Sequence, residues 1–430
     1  MTASDPEPGQ ESHVVRTRGH RMEGAAVLKA DVAVIGAGAA GLSLAHRLSG
    51  HLPGVPGALT PSVVLIDAPP GPLRPRPRTW CFWEPGRGRF DAAVRSQWRH
   101  LRVRPPAGPA VEADIAPLRY KMIRSDDFES LVSRDLAHSP NVRRLEATVD
   151  TVEEIPAAAG AGARVLMTPP HGPARALEAR WVFDSRPLGS LPAARTTLLQ
   201  HFHGWFVRTA HPAFDPGTAE LMDFRTPQPA SGLSFGYVLP TGPHEALVEY
   251  TEFSPRVLTA SGYEAALRHY AADVLSLPLG DVEIVAAETG VIPMTDAPMP
   301  RRVGTSVFRI GAAGGATRPS TGYTFAGLQR QTRAVAAALR RGRRPVPPPA
   351  HSVRARAMDS VLLRALDSGR VDGPELFCRL FTRVPAVRLL RFLDGHTSLF
   401  EDLAVGRHAP VGPMLRTAVE LPGLPRRAFT

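Results

Sequence analysis

The chain has 430 residues, a formal net charge of +11 and an apolar fraction of 43%. This length is sufficient for two or three lobes with their own cores. The sequence has no run of about 18 apolar residues, which argues against a transmembrane helix, and its first residues lack the pattern of a secretory signal. The two cysteines, Cys81 and Cys378, are too far apart in sequence to indicate a metal or redox pair. We therefore expect a reduced, cytoplasmic protein without a metal site.

The positive charge comes from arginine, since Lys29 and Lys121 are the only lysines. The arginines are scattered and no nucleic-acid-binding motif accompanies them, so we expect no nucleic-acid partner. Near the C-terminus, arginines alternate with apolar residues, a pattern that favours peripheral attachment to an anionic membrane surface. Packing of the same apolar residues in the core is the alternative. The residues concerned are Arg379, Leu380, Phe381, Arg383, Arg388, Leu389, Leu390 and Arg391.

Residues 1–28 are polar, rich in Gly, Pro, Glu and Arg, and predict a disordered tail. The segment Asp31–Leu48 then reads as a buried strand, a glycine turn and a helix. Gly36 and Gly38 allow a tight turn that approaches a pyrophosphate, and Gly41 allows the helix to pack closely on the strand. The helix N-terminus offers free N–H groups to the phosphates. This order predicts a dinucleotide-binding site.

A second apolar strand, Ser62–Ile66, ends in Asp67. An acid at this position binds a ribose 2′-hydroxyl and disfavours a 2′-phosphate, which argues for FAD or NAD over NADP. Asp67 comes later than the usual spacing, and we attribute the delay to a loop insertion at Gly50–Gly57. Alternating apolar residues in 101–111 and 145–166 predict antiparallel strands farther along the chain.

Aromatic and branched residues dominate 196–295 and predict a sheet that covers the cofactor. A strand at Val307–Ile310, a glycine cluster and a helix at about 323–341 return the chain to the nucleotide-binding part. Beyond a proline-rich linker, apolar residues at helical spacing predict short helices. The predicted domains are a tail (1–28), a discontinuous nucleotide-binding domain (29–195 and 296–342), a substrate-binding β domain (196–295) and a C-terminal helical region (343–430).

Several motifs spread over about residues 29–420 carry a more specific signal. They are Arg78–Glu84, Tyr120–Ser125, Phe183–Pro187, Gln200–Trp205, Met222–Arg225, Leu247–Thr251, Gly290–Met294 and Gly311–Tyr323. With the N-terminal turn, they resemble two-domain FAD proteins of the glutathione-reductase-like, hydroxylase-type superfamily, and more narrowly the lycopene cyclase family. The resemblance implies an α/β fold with a Rossmann-type FAD-binding domain, a second, mostly antiparallel β domain for the substrate and a C-terminal helical region.

The resemblance also implies FAD as the cofactor, active in its reduced form, with NAD(P)H as the reductant. The residues that it assigns to FAD are Gly36, Gly38, Ala39, Gly41, Asp67, Arg124, Gly311, Gly314, Gly315, Pro319 and Gly322. The chain departs from the broader superfamily at Ala312, where an acid usually binds a ribityl hydroxyl. Backbone N–H groups around Gly314 and Gly315 are expected to hold the flavin instead.

Lycopene cyclases convert the acyclic ψ ends of lycopene into rings by protonating a terminal double bond, closing the ring on the carbocation and releasing a proton. The first step needs a carboxylic acid that stays neutral, which an apolar environment provides. Glu249 is the predicted proton donor, and a structural salt bridge or a solvated carboxylate is its alternative role. The family pairs two acids here, whereas this chain has Glu249 followed by Tyr250. Glu252 falls on the opposite face of a regular strand, so we do not expect it to replace the missing acid.

Aromatic faces stabilise a carbocation, although core packing is their commoner role. His201 and His203 alternate along a strand but lack a convincing third metal ligand. Two other functions stay open: an FAD monooxygenase or prenyl-chain reductase of the same superfamily, and a non-catalytic carotenoid-binding protein. The sequence does not distinguish cyclisation of one end from cyclisation of both, or lycopene from a related carotenoid. The aromatic candidates are Trp205, Phe206, Phe224, Phe235 and Tyr237.

Overall fold

The structure, a computed structural model, describes residues 27–49 and 60–429. The tail expected at 1–28, apart from its last two residues, and the loop insertion expected at Gly50–Gly57 lie outside the described residues. The strands are β1 (Leu28–Ile35), β2 (Val63–Asp67), β3 (Thr79–Pro85), β4 (Val94–Trp98), β5 (His100–Arg104), β6 (Val111–Asp114), β7 (Leu118–Arg124), β8 (Val142–Glu146), β9 (Thr148–Ile155), β10 (Gly162–Thr168), β11 (Arg175–Asp184), β12 (Thr197–Thr209), β13 (Thr218–Asp223), β14 (Leu233–Pro240), β15 (Glu245–Ser254), β16 (Val282–Thr295) and β17 (Val307–Arg309). The α-helices are α1 (Ala39–Leu48), α2 (Ser125–Ala137), α3 (Ala260–His269), α4 (Phe325–Arg340), α5 (Val353–Asp367), α6 (Gly373–Arg383), α7 (Ala386–Leu393), α8 (Leu399–Gly406) and α9 (Val411–Glu420).

The first sheet carries the N-terminal glycine turn. Its strands β8, β2, β1 and β11 are parallel and adjacent in that order, and β17 lies parallel to the end of β11. An antiparallel hairpin of β9 and β10 completes the other side. β2 is buried along its whole length, as expected of a parallel strand that is covered on both faces. The predicted Rossmann-type arrangement is therefore present.

The second sheet is larger in area and mostly antiparallel, in the order β16-β12-β15-β14-β13-β5-β6. Side chains alternate between its faces along each strand. On β15, Leu247 and Phe253 pack towards the C-terminal helices, whereas Val248 and Tyr250 pack towards α3. One face of this sheet is thus turned towards the helical region and the other towards α3.

Two strands cross the domain boundary expected from the sequence. β5 and β6 fall in the segment 29–195, which the sequence analysis assigned to the nucleotide-binding domain, but β5 pairs in parallel with β13 of the second sheet. The alternation of apolar residues identified the two strands correctly as an antiparallel pair. It does not specify which sheet a pair joins, because that choice depends on contacts with residues more than a hundred positions away.

A small third sheet, β3-β7-β4, connects the two larger sheets. Trp80 and Phe82 of β3 stack near Phe325 at the start of α4, so this sheet joins the core that surrounds α1, α2 and α4. The C-terminal helices α5–α7 pack on the second sheet and bury Leu363, Leu376 and Leu389 there. Among the described residues, no helix is long and apolar enough to cross a membrane.

Candidate active site

The turn between β1 and α1 has the backbone geometry that its glycines suggest. Gly36 has φ +90°, a conformation that favours glycine. A Cβ at Gly41 would lie 1.8 Å from the carbonyl oxygen of Gly36, so only glycine permits this packing of helix and turn. Gly38 precedes Ala39, the first residue of α1, and a Cβ at Gly38 would meet no atom within 4 Å. Open space therefore lies in front of the free N–H groups of α1.

Asp67 lies at the carboxyl end of β2, beside the same turn. Its carboxylate accepts a hydrogen bond from Arg144 Nη2 at 2.7 Å, and Arg74 Nη2 lies 3.6 Å away. Glu129 contacts both arginines and forms part of the same cluster. Asp67 is thus placed where the sequence predicted it, with two arginines as partners that the sequence analysis did not identify.

A second glycine loop, Gly311–Tyr323, approaches the turn between β1 and α1. Gly311, Gly315 and Gly322 have φ values of +68°, +74° and +71°. A Cβ at Gly311 would lie 2.8 Å from Ala40 Cβ, so this loop contacts the first turn of α1. Within the loop, Gly314 is buried and Pro319 is half-buried. The two predicted glycine motifs therefore meet at one place.

A cleft opens between this loop, β3 and the second sheet. Its walls are predominantly aromatic and aliphatic, which is typical of a site for an apolar molecule. Helices α6 and α7 close one side with Phe377, Phe381 and Leu393. The other aromatic residues of the wall are Trp80, Trp83, Phe202, Phe235, Tyr237, Phe253, Tyr323 and Phe325.

Glu249 reaches this cleft from the middle of β15 and is 7% exposed. Thr251 Oγ1 donates a hydrogen bond of 2.8 Å to Glu249 Oε1. Among the described residues, no arginine, lysine or histidine forms an ion pair with this carboxyl. Burial, reinforced by the negative charge of nearby Glu288, raises the pKa of Glu249 to about 8. The carboxyl is therefore mostly neutral at neutral pH.

The lycopene cyclase protein family model matches residues 31–419, nearly the whole chain. The chain belongs to the lycopene cyclase family. A comparison with curated protein sequences gives no match.

Several solved structures share the fold of this lycopene cyclase family member. They include a geranylgeranyl bacteriochlorophyll reductase-like protein from Thermoplasma acidophilum (12% identity, 91% of this chain and 99% of that chain, TM-score 0.57). A flavoprotein/dehydrogenase from Cytophaga hutchinsonii is similar (14% identity, 91% and 99%, TM-score 0.58). So is p-nitrophenol 4-monooxygenase from Pseudomonas putida (14% identity, 92% and 98%, TM-score 0.55). These likenesses confirm the predicted fold class.

A second buried carboxyl of the cleft, Glu288 on β16, was missed by the sequence analysis. Its Oε2 atom accepts hydrogen bonds from Thr79 Oγ1 at 2.8 Å and Arg124 Nη1 at 3.1 Å. Arg124, which the sequence assigned to the cofactor, thus has Glu288 as its partner. The sequence shows only that an acid lies two residues before the Gly290–Met294 motif. That signal is weak, because the register of β16 on β12 is needed to place Glu288 beside Glu249.

Three tyrosines and one cysteine gather at one end of the cleft. Tyr120 OH contacts the hydroxyl of Tyr237 and lies 3.0 Å from that of Tyr323. Burial raises the pKa of each tyrosine above its usual value and raises the pKa of the Cys81 thiol to about 12. These groups all stay protonated, so the thiol is a poor nucleophile.

Only part of the predicted aromatic lining is present. Phe235 and Tyr237 line the cleft, whereas Trp205 and Phe224 pack in cores and Phe206 lies 4.4 Å from the Arg124 guanidinium. Trp205 packs on the α3 side of the second sheet, whereas Phe224 and Phe206 pack in the core on its other side, so these three have the core-packing role that was the alternative.

The histidines that the sequence singled out have ordinary hydrogen-bond partners. His201 bonds to Ser254 and Tyr263, and His203 bonds to Thr289. Within the described part of the chain, no group of three or more His, Cys, Asp or Glu residues could hold a metal ion.

Proposed function

We propose that the protein is a flavin-dependent lycopene β-cyclase, an intramolecular lyase or isomerase that converts the ψ ends of lycopene or a related carotenoid into β rings without net oxidation or reduction. The observation that carries the proposal is the Glu249 carboxyl, which is buried in an aromatic cleft without a cationic partner, in a chain of the lycopene cyclase family. Protonation of an alkene needs an acid of this kind, because water and a bound cation would both favour its ionised form.

The two glycine loops fit FAD. The open space before α1 suits a pyrophosphate at Gly38, and Asp67 suits a ribose hydroxyl. At the cleft, Gln200 Oε1 and Thr321 Oγ1 are buried and have no hydrogen-bond partner among the described residues. A ring system that carries N–H and carbonyl groups would satisfy both atoms. When bound in its reduced form, after reduction by NAD(P)H, FAD would supply negative charge beside the carbocation.

The side chains of the cleft have different proposed roles in protonation and in protection of the carbocation. Thr251 occupies Oε1 of Glu249, which leaves Oε2 to carry the proton. The aromatic walls exclude water and present their negative faces to a cation. Cys81 and the neighbouring tyrosines are protonated and do not capture the cation as anions would. Glu249 is therefore proposed as the proton donor and the walls as the protection of the intermediate.

A different activity of the same fold is the second proposal, because the similar structures include proteins named as a reductase-like protein and a monooxygenase. Such an enzyme consumes NAD(P)H in proportion to substrate, whereas a cyclase turns over many substrates for each reduced flavin. A non-catalytic carotenoid-binding protein would bind pigment and leave its absorption spectrum unchanged.

Peripheral attachment to the cytoplasmic membrane follows from a hydrocarbon substrate, but the surface that we propose for it differs from the one the sequence suggested. Leu380, Phe381, Leu389 and Leu390 are buried in the core, so that contact was wrong. The physical reason is that α6 and α7 use their apolar faces to cover the second sheet and the cleft.

Helices α8 and α9 instead expose apolar residues on contiguous turns. Phe400 is 82% exposed and Leu403 63%, and on α9 Leu415 and Val419 are 61% and 82% exposed. Exposed Arg407 and Arg416 supply positive charge on or next to these helices. An anionic lipid surface matches this combination. Because α8 packs against α7, whose Leu393 lines the cleft, the patch adjoins the cleft wall.

The test of the main proposal is expression in a lycopene-producing bacterial host, followed by chromatography of the pigments. We expect β-ring carotenoids, and the ratio of one-ended to two-ended products will define the specificity. In a parallel assay with purified protein, NAD(P)H consumption that matches substrate loss would favour the reductase or monooxygenase. Recovery of unchanged lycopene together with tight pigment binding would favour the binding protein.

A further inference from the structure

Glu249 and Glu288 lie in one row across the second sheet. Gly204 on β12 pairs with Glu249 on β15 at one side and with Glu288 on β16 at the other. Residues directly opposite each other share a face, so both carboxyls point into the cleft that they line. Their Cα atoms are about 10 Å apart, which is twice the spacing of neighbouring strands.

The residue between the two acids has no side chain. A Cβ at Gly204 would lie 3.3 Å from Glu249 Cβ and 2.8 Å from Leu247 Cδ1. A larger residue would fill the space above β12 and separate the carboxyls. The sheet therefore leaves a gap above β12 between two acids that lie on the same face.

The two carboxyls have different partners. Glu288 accepts hydrogen bonds from Arg124 and Thr79, and Arg78 adds positive charge nearby. Glu249 has Thr251 as its hydrogen-bond partner and Glu288 as its charged neighbour. Burial raises the pKa of both acids, and the negative charge of Glu288 raises the pKa of Glu249 further, so simultaneous ionisation of both carboxyls is disfavoured. The arginine contact assigns the charge to Glu288 and the proton to Glu249.

We propose that Glu288 accepts the proton that leaves the newly closed ring, so that Glu249 and Glu288 act as an acid–base pair in the cyclisation. This inference rests on the proposed function. Glu249 loses its O–H proton to the terminal alkene carbon. The next double bond attacks the cation and forms the ring C–C bond. A ring C–H bond then breaks, its electrons form the ring double bond, and the proton passes to Glu288.

This scheme keeps atoms and charge in balance. The pair holds one proton before the reaction and one after it, and no electrons leave the substrate. Transfer of the proton from Glu288 back to Glu249, across the gap above Gly204, restores the starting state. One protonated and one ionised carboxyl on the same face of the cleft suit a reaction in which one proton enters the substrate and another leaves it.

Other groups near the cleft do not suit the acceptor role. Cys81, Tyr237 and Tyr323 retain their own protons. Glu252 and His201 lie on the opposite face of the sheet, where Tyr250 and Tyr263 bond to them. Among the described residues that line the cleft, Glu288 is the carboxyl with a cation in contact.

The experiment compares wild type, Glu288→Gln and Glu288→Ala, each checked for FAD content and melting temperature. In Glu288→Gln, protonation of the alkene and ring closure remain possible, but the usual proton acceptor is absent. We therefore expect the rate of β-ring formation to fall at least 100-fold. The remaining cyclic products are expected to have a displaced double bond or an added hydroxyl group. Those by-products report a cation that formed but was not deprotonated at its usual carbon. Glu249→Gln, which blocks the first step, is expected to leave lycopene acyclic without them.

Chemical rescue separates a base from a structural residue. Acetate or formate fits the space that Glu288→Ala creates, so either anion is expected to restore β-ring formation at least several-fold, with no effect on Glu249→Gln. The proposal is overturned if Glu288→Gln cyclises within about threefold of wild type, or if folded, FAD-loaded Glu288→Ala shows no rescue. Wild-type protein that leaves lycopene acyclic would instead overturn the proposed function and this role with it.

Discussion

Glu249 and Tyr250 are adjacent in sequence but face opposite sides of β15. Glu249 lines the cleft, whereas Tyr250 packs towards α3 and donates a hydrogen bond of 2.8 Å from its hydroxyl to Glu252 Oε1. Position 250, where the family carries its second acid, is thus turned away from the cleft. The departure at Tyr250 does not remove a carboxyl from the cleft, and the facing acid comes from Glu288 on another strand.

We predict that Glu249→Gln retains FAD and loses cyclisation. Glutamine keeps the size of the side chain and the hydrogen bond with Thr251 but has no acidic proton, and general acid catalysis typically contributes about 10²- to 10⁴-fold. Pigment chromatography in a lycopene-producing host measures the effect. Glu252→Gln is the matched control, since Glu252 is equally buried on the opposite face and its substitution is expected to preserve cyclisation. Activity lost in the control and kept in Glu249→Gln would show that the acid was misassigned.

A pair of glycine variants tests the nucleotide site. Gly38→Leu places its side chain in open space at φ −81°, so the protein should fold with the secondary structure of the wild type but lose bound FAD. Gly41→Leu forces a Cβ to within 1.8 Å of Gly36 O and should prevent folding. Flavin fluorescence after heat release, combined with circular dichroism, distinguishes the two outcomes. Stoichiometric FAD in purified Gly38→Leu would contradict the site.

The nucleotide-binding part was predictable because its signal is local. The strand, turn and helix of Asp31–Leu48 lie within 18 consecutive residues, and the steric demands on Gly36 and Gly41 arise within the same turn. The Glu249 environment was predictable in part, since strand alternation separates Glu249 from Glu252. Tertiary packing then decides which of the two faces is the cleft.

The remainder of the site depends on contacts that sequence periodicity does not encode. Glu288 lies beside Glu249 because β16 and β15 both pair with β12, each in a register that places its acid opposite Gly204. Arg124 contacts Glu288 from a strand of a separate sheet. The alternation at 379–391 correctly indicated helices with one apolar face, but not that the second sheet covers that face. The same limit explains the strands β5 and β6, whose pairing with β13 is long-range.

Cyclisation should decline as pH rises through the pKa of Glu249. Burial and the Glu288 charge raise that pKa to about 8, and the donor is active only when protonated, so the rate should fall about tenfold per pH unit well above 8. The same group binds its proton more tightly in the folded state than in the unfolded chain. Its contribution to stability is therefore complete below about pH 4 and is lost progressively up to about pH 8. Thermal unfolding across this range should show a smaller loss in Glu249→Gln than in wild type, because Glu220 and Glu288 keep their own raised pKa values in both proteins.

The buried ion pair of Arg318 and Asp359 should be important for stability. Arg318 Nε lies 3.0 Å from Asp359 Oδ1, and both side chains are 2% exposed, so the pair ties the second glycine loop to α5. Asp359→Asn leaves the arginine charge buried without its partner, and we expect a loss of about 3–5 kcal/mol in the free energy of unfolding. Glu264→Gln, which breaks the exposed pair with Arg268, should cost about 0.5 kcal/mol or less. Denaturant titration measures both, and equal losses would contradict the assignment.

The last prediction concerns the patch on α8 and α9. Substitution of Phe400 and Leu403 by Ser removes apolar surface that is already exposed, so the fold and FAD binding should be unchanged. Binding to the lipid surface should weaken, because this binding scales with the apolar area that enters the interface. We expect at least a tenfold decrease in co-flotation with anionic liposomes at low salt. Val257→Ser is the matched control, since Val257 is 50% exposed in the segment that leads into α3.

Two further measurements complete this test. High salt should reduce co-flotation of the wild type, because screening weakens the attraction of Arg407 and Arg416 to anionic headgroups. Cyclisation of lycopene in liposomes should fall in parallel with binding in the Phe400 and Leu403 double variant, while the rate with detergent-dispersed lycopene stays within about twofold of wild type. Unchanged flotation of the double variant would assign the membrane contact to another surface, and an equal loss of activity in detergent would point to damage in the adjoining cleft wall.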